Sequence, residues 1–174
     1  MSVSRTLVLG GIRSGKTALA ERLATESGGM VVYVATATVG DEEMAQRVKQ
    51  HVESRPHHWG LEEAPIRLAS VLEAYGKEAA PPFLLIDCMS LWVSNLLFAG
   101  EETFGRERDA FLEALRNYPG SIAIVSNEVG LGTIGMDPLT RRFCDELGWL
   151  NQDLAACCNR VVMSVAGLPL TLKE

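Results

Sequence analysis

Apolar runs and segments of helical periodicity alternate along most of the chain. Short, nearly continuous apolar runs predict strands that are buried on both faces. These strands are Thr6–Gly10, Met30–Thr36, Pro82–Cys88, Ser121–Asn127 and Arg160–Gly167, the last followed by a short extended tail, with a further short strand in WGLEEA, residues 59–64. Apolar positions three and four residues apart predict helices between the strands. These helices are Lys16–Ser27, Asp41–Arg55, one near Pro65–Tyr75, Ser90–Ala99, Arg106–Asn117 and Leu139–Cys158.

The order of these elements predicts the fold class. Apolar strands separated by helices are typical of a mostly parallel sheet with helices on both faces, and therefore of an α/β protein. GEETFG, residues 100–105, is predicted to be a flexible link, and EVGLGTIGMDP, residues 128–138, a glycine-rich loop. The sequence has no internal repeat, low-complexity tract or interdomain linker, so we expect one domain over residues 1–174.

Composition narrows the classes of function. The net charge of −6 and the sequence pI of about 5.1 argue against a protein that mainly binds the backbone of DNA or RNA. No apolar run approaches the roughly 20 residues of a membrane span, and MSVSRTLVLGG lacks the layout of a signal peptide. We therefore expect a cytoplasmic protein.

The four cysteines do not form a metal-binding or disulfide pattern. None belongs to a C-x-x-C pair, and Cys157 and Cys158 are adjacent, which suits neither a zinc knuckle nor an ordinary disulfide. Reduced, mostly buried thiols are the expected state of all four.

A phosphate-binding loop is the strongest local motif. GGIRSGKT fits G-x-x-x-x-G-K-[ST], and it lies between a predicted strand and a predicted helix, as this motif requires. The glycines allow backbone N–H groups to turn toward phosphate oxygens, and the helix directs its positive end at the same anion. A chance glycine turn is the alternative. The predicted nucleotide-binding residues of the loop are Gly10, Gly11, Ile12, Arg13, Ser14, Gly15, Lys16 and Thr17.

An acidic residue at the end of another apolar strand completes the predicted site. Lys16 would reach the outer phosphates, while the Thr17 hydroxyl and the Asp87 carboxylate of FLLID would bind Mg²⁺. Asp87 could instead cap the following helix. The motif predicts nucleotide binding but no particular reaction, because kinases, switches and motor ATPases share it.

All three histidines, His51, His57 and His58, lie in VKQHVESRPHHW. On the predicted helix, Arg47 and Arg55 lie four residues to either side of His51 and share its face. Arginines suit a phosphate-bearing ligand, and a neutral imidazole is a competent nucleophile toward phosphorus. From this pattern alone, a solvated histidine without a function is the favoured alternative. His57 and His58 follow the helix, where a turn is expected.

The motifs in this order resemble one family of enzymes. The segments are GGIRSGKT, YVATA with DEEMAQRV, HVESRPHHW, LLIDCMSLWVSNLLF, VSNEVGLG and RRFCDELGWLNQDLAACCNRVVMSVAG. Together they resemble the bifunctional adenosylcobinamide kinase / adenosylcobinamide-phosphate guanylyltransferases of cobalamin biosynthesis, over nearly the whole chain.

The resemblance implies two reactions on one RecA-like P-loop NTPase fold. The first phosphorylates adenosylcobinamide with ATP or GTP and Mg²⁺. The second transfers GMP from GTP to the new phosphate through a guanylyl-histidine, which the resemblance assigns to His51, with Lys16 and Asp87 as further catalytic residues. Family members often carry a second histidine directly before this one, where the present chain has Gln50. A homotrimer with active sites near subunit interfaces is also implied.

The resemblance implies further nucleotide contacts outside the phosphate loop. They are Ala35, Thr36, Ala37, Val52, Glu53, Ser54, Arg55, Glu63 and Asp87. Asn127 and Glu128 are expected to border the corrinoid or nucleotide site.

Two alternative functions remain open from the sequence. A small-molecule P-loop kinase would use Lys16 and Asp87 but would have no role for His51. A RecA-type nucleotide-dependent switch or assembly module would bind a protein partner and hydrolyse nucleotide slowly.

Overall fold

The computed structural model describes residues 3–38 and 56–174. The predicted helix Asp41–Arg55 lies outside the described residues, and so does His51. Seven strands and five helices are found in the described part of the chain. The strands are β1 (Arg5–Gly10), β2 (Val31–Ala35), β3 (Gly60–Glu63), β4 (Phe83–Asp87), β5 (Ile122–Asn127), β6 (Arg160–Val165) and β7 (Leu168–Lys173). The helices are α1 (Lys16–Glu26), α2 (Leu68–Tyr75), α3 (Met89–Ala99), α4 (Glu101–Asn117) and α5 (Pro138–Cys157).

The seven strands form one sheet in the order β3-β2-β4-β5-β1-β6-β7. Every neighbouring pair is parallel except β6 and β7, which are antiparallel. A parallel connection needs a crossover, and helices follow β1, β3, β4 and β5 in the chain. The predicted α/β class with a mostly parallel sheet is confirmed, and β1, its loop and α1 have the arrangement of a P-loop NTPase.

Both faces of the sheet are covered by apolar side chains. Along β1, Leu7 and Leu9 pack into one buried cluster, and Val8 packs into the other. This alternation follows from the two-residue period of a strand. The larger cluster includes side chains from α2, α3, α4 and α5, whereas the smaller one is covered by α1. Within the larger cluster, the rings of Trp92 and Phe111 meet edge to face with centroids 5.1 Å apart.

The predicted flexible link over residues 100–105 is wrong. α4 begins at Glu101, directly after Gly100, whose φ of 102° allows the sharp turn between two helices. Glu101 and Glu102 lie in the first turn, where carboxylates interact favourably with the positive end of the helix. Phe104 is buried in the larger apolar cluster and thus fixes this first turn to the core.

The chain after β6 is a strand rather than a simple extended tail. β7 pairs with β6 through a tight turn whose central residues, Ala166 and Gly167, have φ of 51° and 78°. Positive φ at both central residues is the geometry that matches the twist of a two-residue hairpin. None of the described helices is long and apolar enough to cross a membrane.

Candidate nucleotide-binding site

Five predicted site residues end neighbouring parallel strands at one edge of the sheet. Gly10 lies opposite Asn127 in the register of β1 and β5, and Ala35 lies between Glu63 and Asp87 in the register of β3, β2 and β4. Ligands of open α/β sheets bind at this carboxyl edge, because the loops that follow the strands converge there. The sheet therefore gathers residues that lie far apart in the chain, such as Gly10 and Asn127.

The phosphate loop is tightly folded between β1 and α1. Gly15 has φ of 88° and Arg13 has φ of 52°, so the loop contains two left-handed positions. A Cβ on Gly10 would lie 2.3 Å from Oγ of Ser14, so only glycine allows the loop to close on itself there. The ammonium of Lys16 donates to the carbonyl of Gly11 over 2.9 Å, which folds this side chain back along the loop.

The loop also contains a buried hydroxyl without a partner. Oγ of Ser14 has no hydrogen-bond partner among the described residues, although the side chain is buried. Native proteins rarely leave such groups unsatisfied, so an unpaired hydroxyl in a loop of inward-turning amides fits a site for an anion.

Thr17 and Asp87 present adjacent oxygen atoms at the start of α1. The hydroxyl of Thr17 donates to Oδ2 of Asp87 over 3.2 Å, and the hydroxyl of Tyr33 donates to the same oxygen over 2.8 Å. A hydroxyl that donates its proton still has lone pairs for a cation, and hydroxyl and carboxylate oxygens are the ligands that Mg²⁺ prefers. The pair therefore offers two oxygen ligands of the kind that Mg²⁺ prefers. The described residues contain no group of three or more His, Cys, Asp or Glu side chains that could hold a metal alone.

Thr36 joins the ends of two strands. Its hydroxyl donates to the carbonyl of Cys88 over 2.7 Å and accepts from the Cys88 N–H over 2.9 Å. The side-chain amide of Asn95 donates to the carbonyls of Thr36 and Pro65, at 2.8 and 2.9 Å. Thr36 is fully buried. Its hydroxyl thus holds the backbone beside Asp87 in place, and the predicted nucleotide contacts of Ala35 and Ala37 flank it in sequence.

Cys88 is the thiol nearest to the site. Burial raises the pKa of this thiol, and the neighbouring charge of Asp87 raises it further. The hydroxyl of Ser90 lies 3.0 Å from its sulfur atom. A buried, protonated thiol is unreactive. The burial of Cys88 agrees with the mostly buried thiols that the sequence predicted.

Glu63 lines a cavity of about 720 Å³ between the end of β3 and α2. The cavity also contacts Glu62, Arg67 and Tyr75, and its volume lies within the range of small-molecule pockets. The hydroxyl of Tyr75 donates to Glu62 over 3.4 Å. Burial raises the pKa of Tyr75, and Glu62 and Glu78 raise it further through their negative charge.

The loop after β5 starts against the phosphate loop. The N–H of Glu128 donates to the carbonyl of Gly10 over 3.1 Å, and its carboxylate accepts from the N–H of Gly130 over 2.8 Å. Buried Asn151, on α5, donates to the carbonyl of Asn127 over 3.1 Å and accepts from Ser126 over 2.6 Å. Asn127 and Glu128 thus border the loop predicted to bind phosphate.

The remaining predicted residues divide into two groups. Val52, Glu53, Ser54 and Arg55 lie outside the described residues, as does His51. His57 and His58 are exposed and form a turn, as predicted.

The sequence prediction missed four residues that support the site. Tyr33 and Ser164 are single polar side chains within apolar strands, and Asn95 and Asn151 lie on the buried sides of helices. A polar residue at a position where the pattern predicts a buried apolar one could have marked them. A buried polar group needs a hydrogen-bond partner, so such a residue indicates a specific contact. The sequence does not identify that partner, because the partner lies on another element of the fold.

Comparison with known proteins gives a consistent result. The model of the cobinamide kinase / cobinamide phosphate guanyltransferase family matches residues 6–172. A protein of Pseudomonas aeruginosa named bifunctional adenosylcobalamin biosynthesis protein CobP is 49% identical over 170 residues, or 97% of each chain. Two proteins named bifunctional adenosylcobalamin biosynthesis protein CobU, from Escherichia coli and Salmonella typhimurium, are 35% and 34% identical, with 96% of this chain and 98% of each relative covered.

Proposed function

Because the chain belongs to the cobinamide kinase / cobinamide phosphate guanyltransferase family, we propose that it catalyses both reactions in that description. It phosphorylates adenosylcobinamide with ATP or GTP. It then transfers GMP from GTP to the new phosphate, giving adenosylcobinamide-GDP and pyrophosphate. The observation that carries this proposal is the phosphate loop with Thr17 and Asp87 in contact beside it, in a chain that matches the family from residue 6 to residue 172.

The first reaction rests on positioning and charge neutralisation. The loop amides and Lys16 bind the phosphates of the donor and stabilise charge on the phosphoryl group as it moves. Thr17 and Asp87 would hold Mg²⁺, which would neutralise phosphate charge when bound. Asp87 keeps its carboxylate oriented through the hydroxyl of Tyr33, at 2.8 Å.

The second reaction proceeds through His51. An imidazole nitrogen forms a bond to the α-phosphorus of GTP, and the bond to the departing oxygen breaks, which releases pyrophosphate. An oxygen of adenosylcobinamide phosphate then attacks the same phosphorus, and the nitrogen–phosphorus bond breaks. Two easier steps replace one transfer between two anions. Arg47 and Arg55, predicted to lie on the face of His51, bind phosphates during these steps.

The acceptor binds at the carboxyl edge of the sheet, beside the phosphate loop. Large apolar side chains of the loop after β5 are exposed there: Leu131 at 78%, Ile134 at 73% and Met136 at 95%. Ile12 of the phosphate loop is 85% exposed. A corrin ring bears many methyl groups, so an apolar surface next to the phosphate donor suits this acceptor.

Intact-protein mass spectrometry after incubation with GTP and Mg²⁺ tests the guanylyl transfer. The parent is expected to gain one GMP, labile in acid, and His51→Ala is expected to gain none. His57→Ala and His58→Ala are matched controls, because both histidines are exposed and close in sequence, and both variants should gain GMP like the parent. A folded parent that gains no GMP contradicts the guanylyl-histidine and leaves the kinase.

Two alternatives are separated by a second reaction mixture. Addition of adenosylcobinamide and ATP to the parent is expected to give adenosylcobinamide phosphate. A kinase without transferase activity gives this product with no GMP adduct, and a nucleotide-dependent switch gives neither. The homotrimer and the cytoplasmic location are further parts of the proposal, to be checked by sedimentation and by cell fractionation.

A further inference from the structure

The hairpin of β6 and β7 contacts the phosphate loop from the side opposite β5. β1 lies between β5 and β6, and Ser164 of β6 is in register with Gly10, the last residue of β1. The turn of the hairpin follows directly, with Gly167 at a positive φ of 78°. The last strands of the chain thereby reach the first loop.

One carbonyl of the phosphate loop receives two hydrogen bonds from this hairpin. The hydroxyl of Ser164 donates to the carbonyl of Ser14 over 2.8 Å, and the N–H of Gly167 donates to the same oxygen over 2.8 Å. Ser164 is 1% exposed, so its hydroxyl bond is shielded from water. Both lone pairs of this oxygen are therefore occupied.

The backbones of the loop and the hairpin are also in close contact. A Cβ on Gly15 would lie 3.1 Å from Cα of Gly167, and a Cβ on Gly10 would lie 2.9 Å from the carbonyl oxygen of Ser164. Glycine at both loop positions thus allows the hairpin to approach. These glycines serve the packing of the loop as well as its turn.

The two hydrogen bonds orient a peptide group of the loop. In a trans peptide the carbonyl and the following N–H point in opposite directions. A fixed Ser14 carbonyl therefore directs the N–H of Gly15 away from the hairpin. Backbone N–H groups of this loop and of the helix start are the donors for a phosphate anion.

We propose that the β6–β7 hairpin preorganises the phosphate loop, with Ser164 as a positioning residue for the phosphates of the nucleotide. The loop has left-handed positions at Arg13 and Gly15, and a non-glycine residue in that region is disfavoured without support from its surroundings. The two donors supply this support. The inference rests on the proposed function only in that the loop must bind a nucleotide.

Calorimetric titration with GDP and with GMP tests the proposal. GDP lacks the pyrophosphate leaving group needed for guanylylation, so binding is measured without covalent reaction. Ser164→Ala removes one of two hydrogen bonds, and a typical bond corresponds to a weakening of GDP binding by about 5-fold. GMP makes fewer phosphate contacts, so its binding should weaken less. Ser164→Thr, which keeps the hydroxyl, should restore the parent's ratio of GDP to GMP affinity.

Ser121→Ala is the matched control. The hydroxyl of Ser121 accepts from the N–H of Ser4 over 3.1 Å at the amino edge of the sheet, away from the loop. This variant should bind both nucleotides like the parent. Equal weakening of GDP and GMP in Ser164→Ala, or no weakening, overturns the positioning role. If the parent fails to bind GDP, the nucleotide site itself is contradicted. The proposed role of the β6–β7 hairpin is then contradicted as well.

Discussion

The hydroxyl of Thr17 and the carboxylate of Asp87 are joined by a 3.2 Å hydrogen bond, although 70 residues separate them in the chain. Thr17 lies in the first turn of α1 and Asp87 is the last residue of β4. The pair depends on the parallel sheet, because only that arrangement brings the end of β4 next to the start of the helix after β1. It forms the part of the site that we propose to hold Mg²⁺.

Asp87→Asn should therefore slow the phosphorylation of adenosylcobinamide by about 100-fold, because the amide keeps the shape but removes the charge that binds the cation. The rate should also need more Mg²⁺ to saturate. Steady-state assays over a range of Mg²⁺ concentrations measure both effects. Tyr33→Phe is the control, because it removes one hydrogen bond to the same carboxylate and keeps the charge. Tyr33→Phe should slow the phosphorylation of adenosylcobinamide by less than about 5-fold. A similar loss in both variants would contradict a role for the charge.

Replacement of Leu131, Ile134 and Met136 by serine should raise the KM for adenosylcobinamide by about 10-fold, because apolar area is removed from the proposed acceptor surface. The yield of GMP adduct from GTP alone should be unchanged, since no acceptor takes part. Phe98→Ser is the control, as Phe98 is 80% exposed at the end of α3 and lies outside the proposed surface. An unchanged KM in the triple variant contradicts the acceptor site, and sedimentation shows whether the surface joins subunits instead.

Phe111→Ala should lower the free energy of unfolding by about 3–5 kcal/mol, because it leaves a cavity beside Trp92 in the core. Phe111 is fully buried, and its ring meets that of Trp92 edge to face. Urea unfolding followed by tryptophan fluorescence and circular dichroism measures the change. Phe98→Ala provides the comparison and should change stability by less than about 0.5 kcal/mol, because its side chain is exposed. If Phe111→Ala lowers the free energy of unfolding no more than Phe98→Ala does, Phe111 does not contribute to the cooperative core.

Stability should fall at alkaline pH partly because of Cys158. Burial raises the pKa of this thiol to about 12 in the folded protein. The thiol of the unfolded chain titrates near 8.5, so between about pH 8.5 and 12 the unfolded state binds fewer protons. The free energy of unfolding thus decreases as pH rises, by up to roughly 1.4 kcal/mol per pH unit from this group.

Urea titrations at pH 7 and pH 10 measure this dependence. Cys158→Ala should lose less stability than the parent between the two pH values. Cys144→Ala is the matched control, because Cys144 is only half-buried, and it should follow the parent. Identical pH dependence in all three proteins would show that Cys158 is not the group responsible.

Local patterns were sufficient to predict the main elements of the fold. The apolar runs marked the strands, and the motif around Lys16 marked the loop between β1 and α1. The prediction of a flexible link at residues 100–105 was wrong because the two glycines of GEETFG are typical of a loop. The buried side chain of Phe104 and the helix dipole outweigh the low helical propensity of Gly105.

Only those site residues that belong to a local sequence motif could be predicted. Asp87 could be assigned because a carboxylate at the end of an apolar strand is unusual. Tyr33 and Ser164 could not, because their roles depend on partners 54 and 150 residues away in the chain. Such contacts are set by strand order, which no local pattern specifies. The role of His51 stays a prediction.

The position of β1 in the sheet has a consequence for how the protein is made. β1 is the first strand of the described chain, yet its two neighbours in the sheet, β5 and β6, are synthesised after β2, β3 and β4. The phosphate loop is synthesised long before Ser164, whose hydroxyl donates to the Ser14 carbonyl from 150 residues further along the chain. The growing chain therefore carries the loop without its contacts to the hairpin while the intervening residues are synthesised. We therefore expect the loop to reach its proposed preorganised conformation only after the β6–β7 hairpin has left the ribosome.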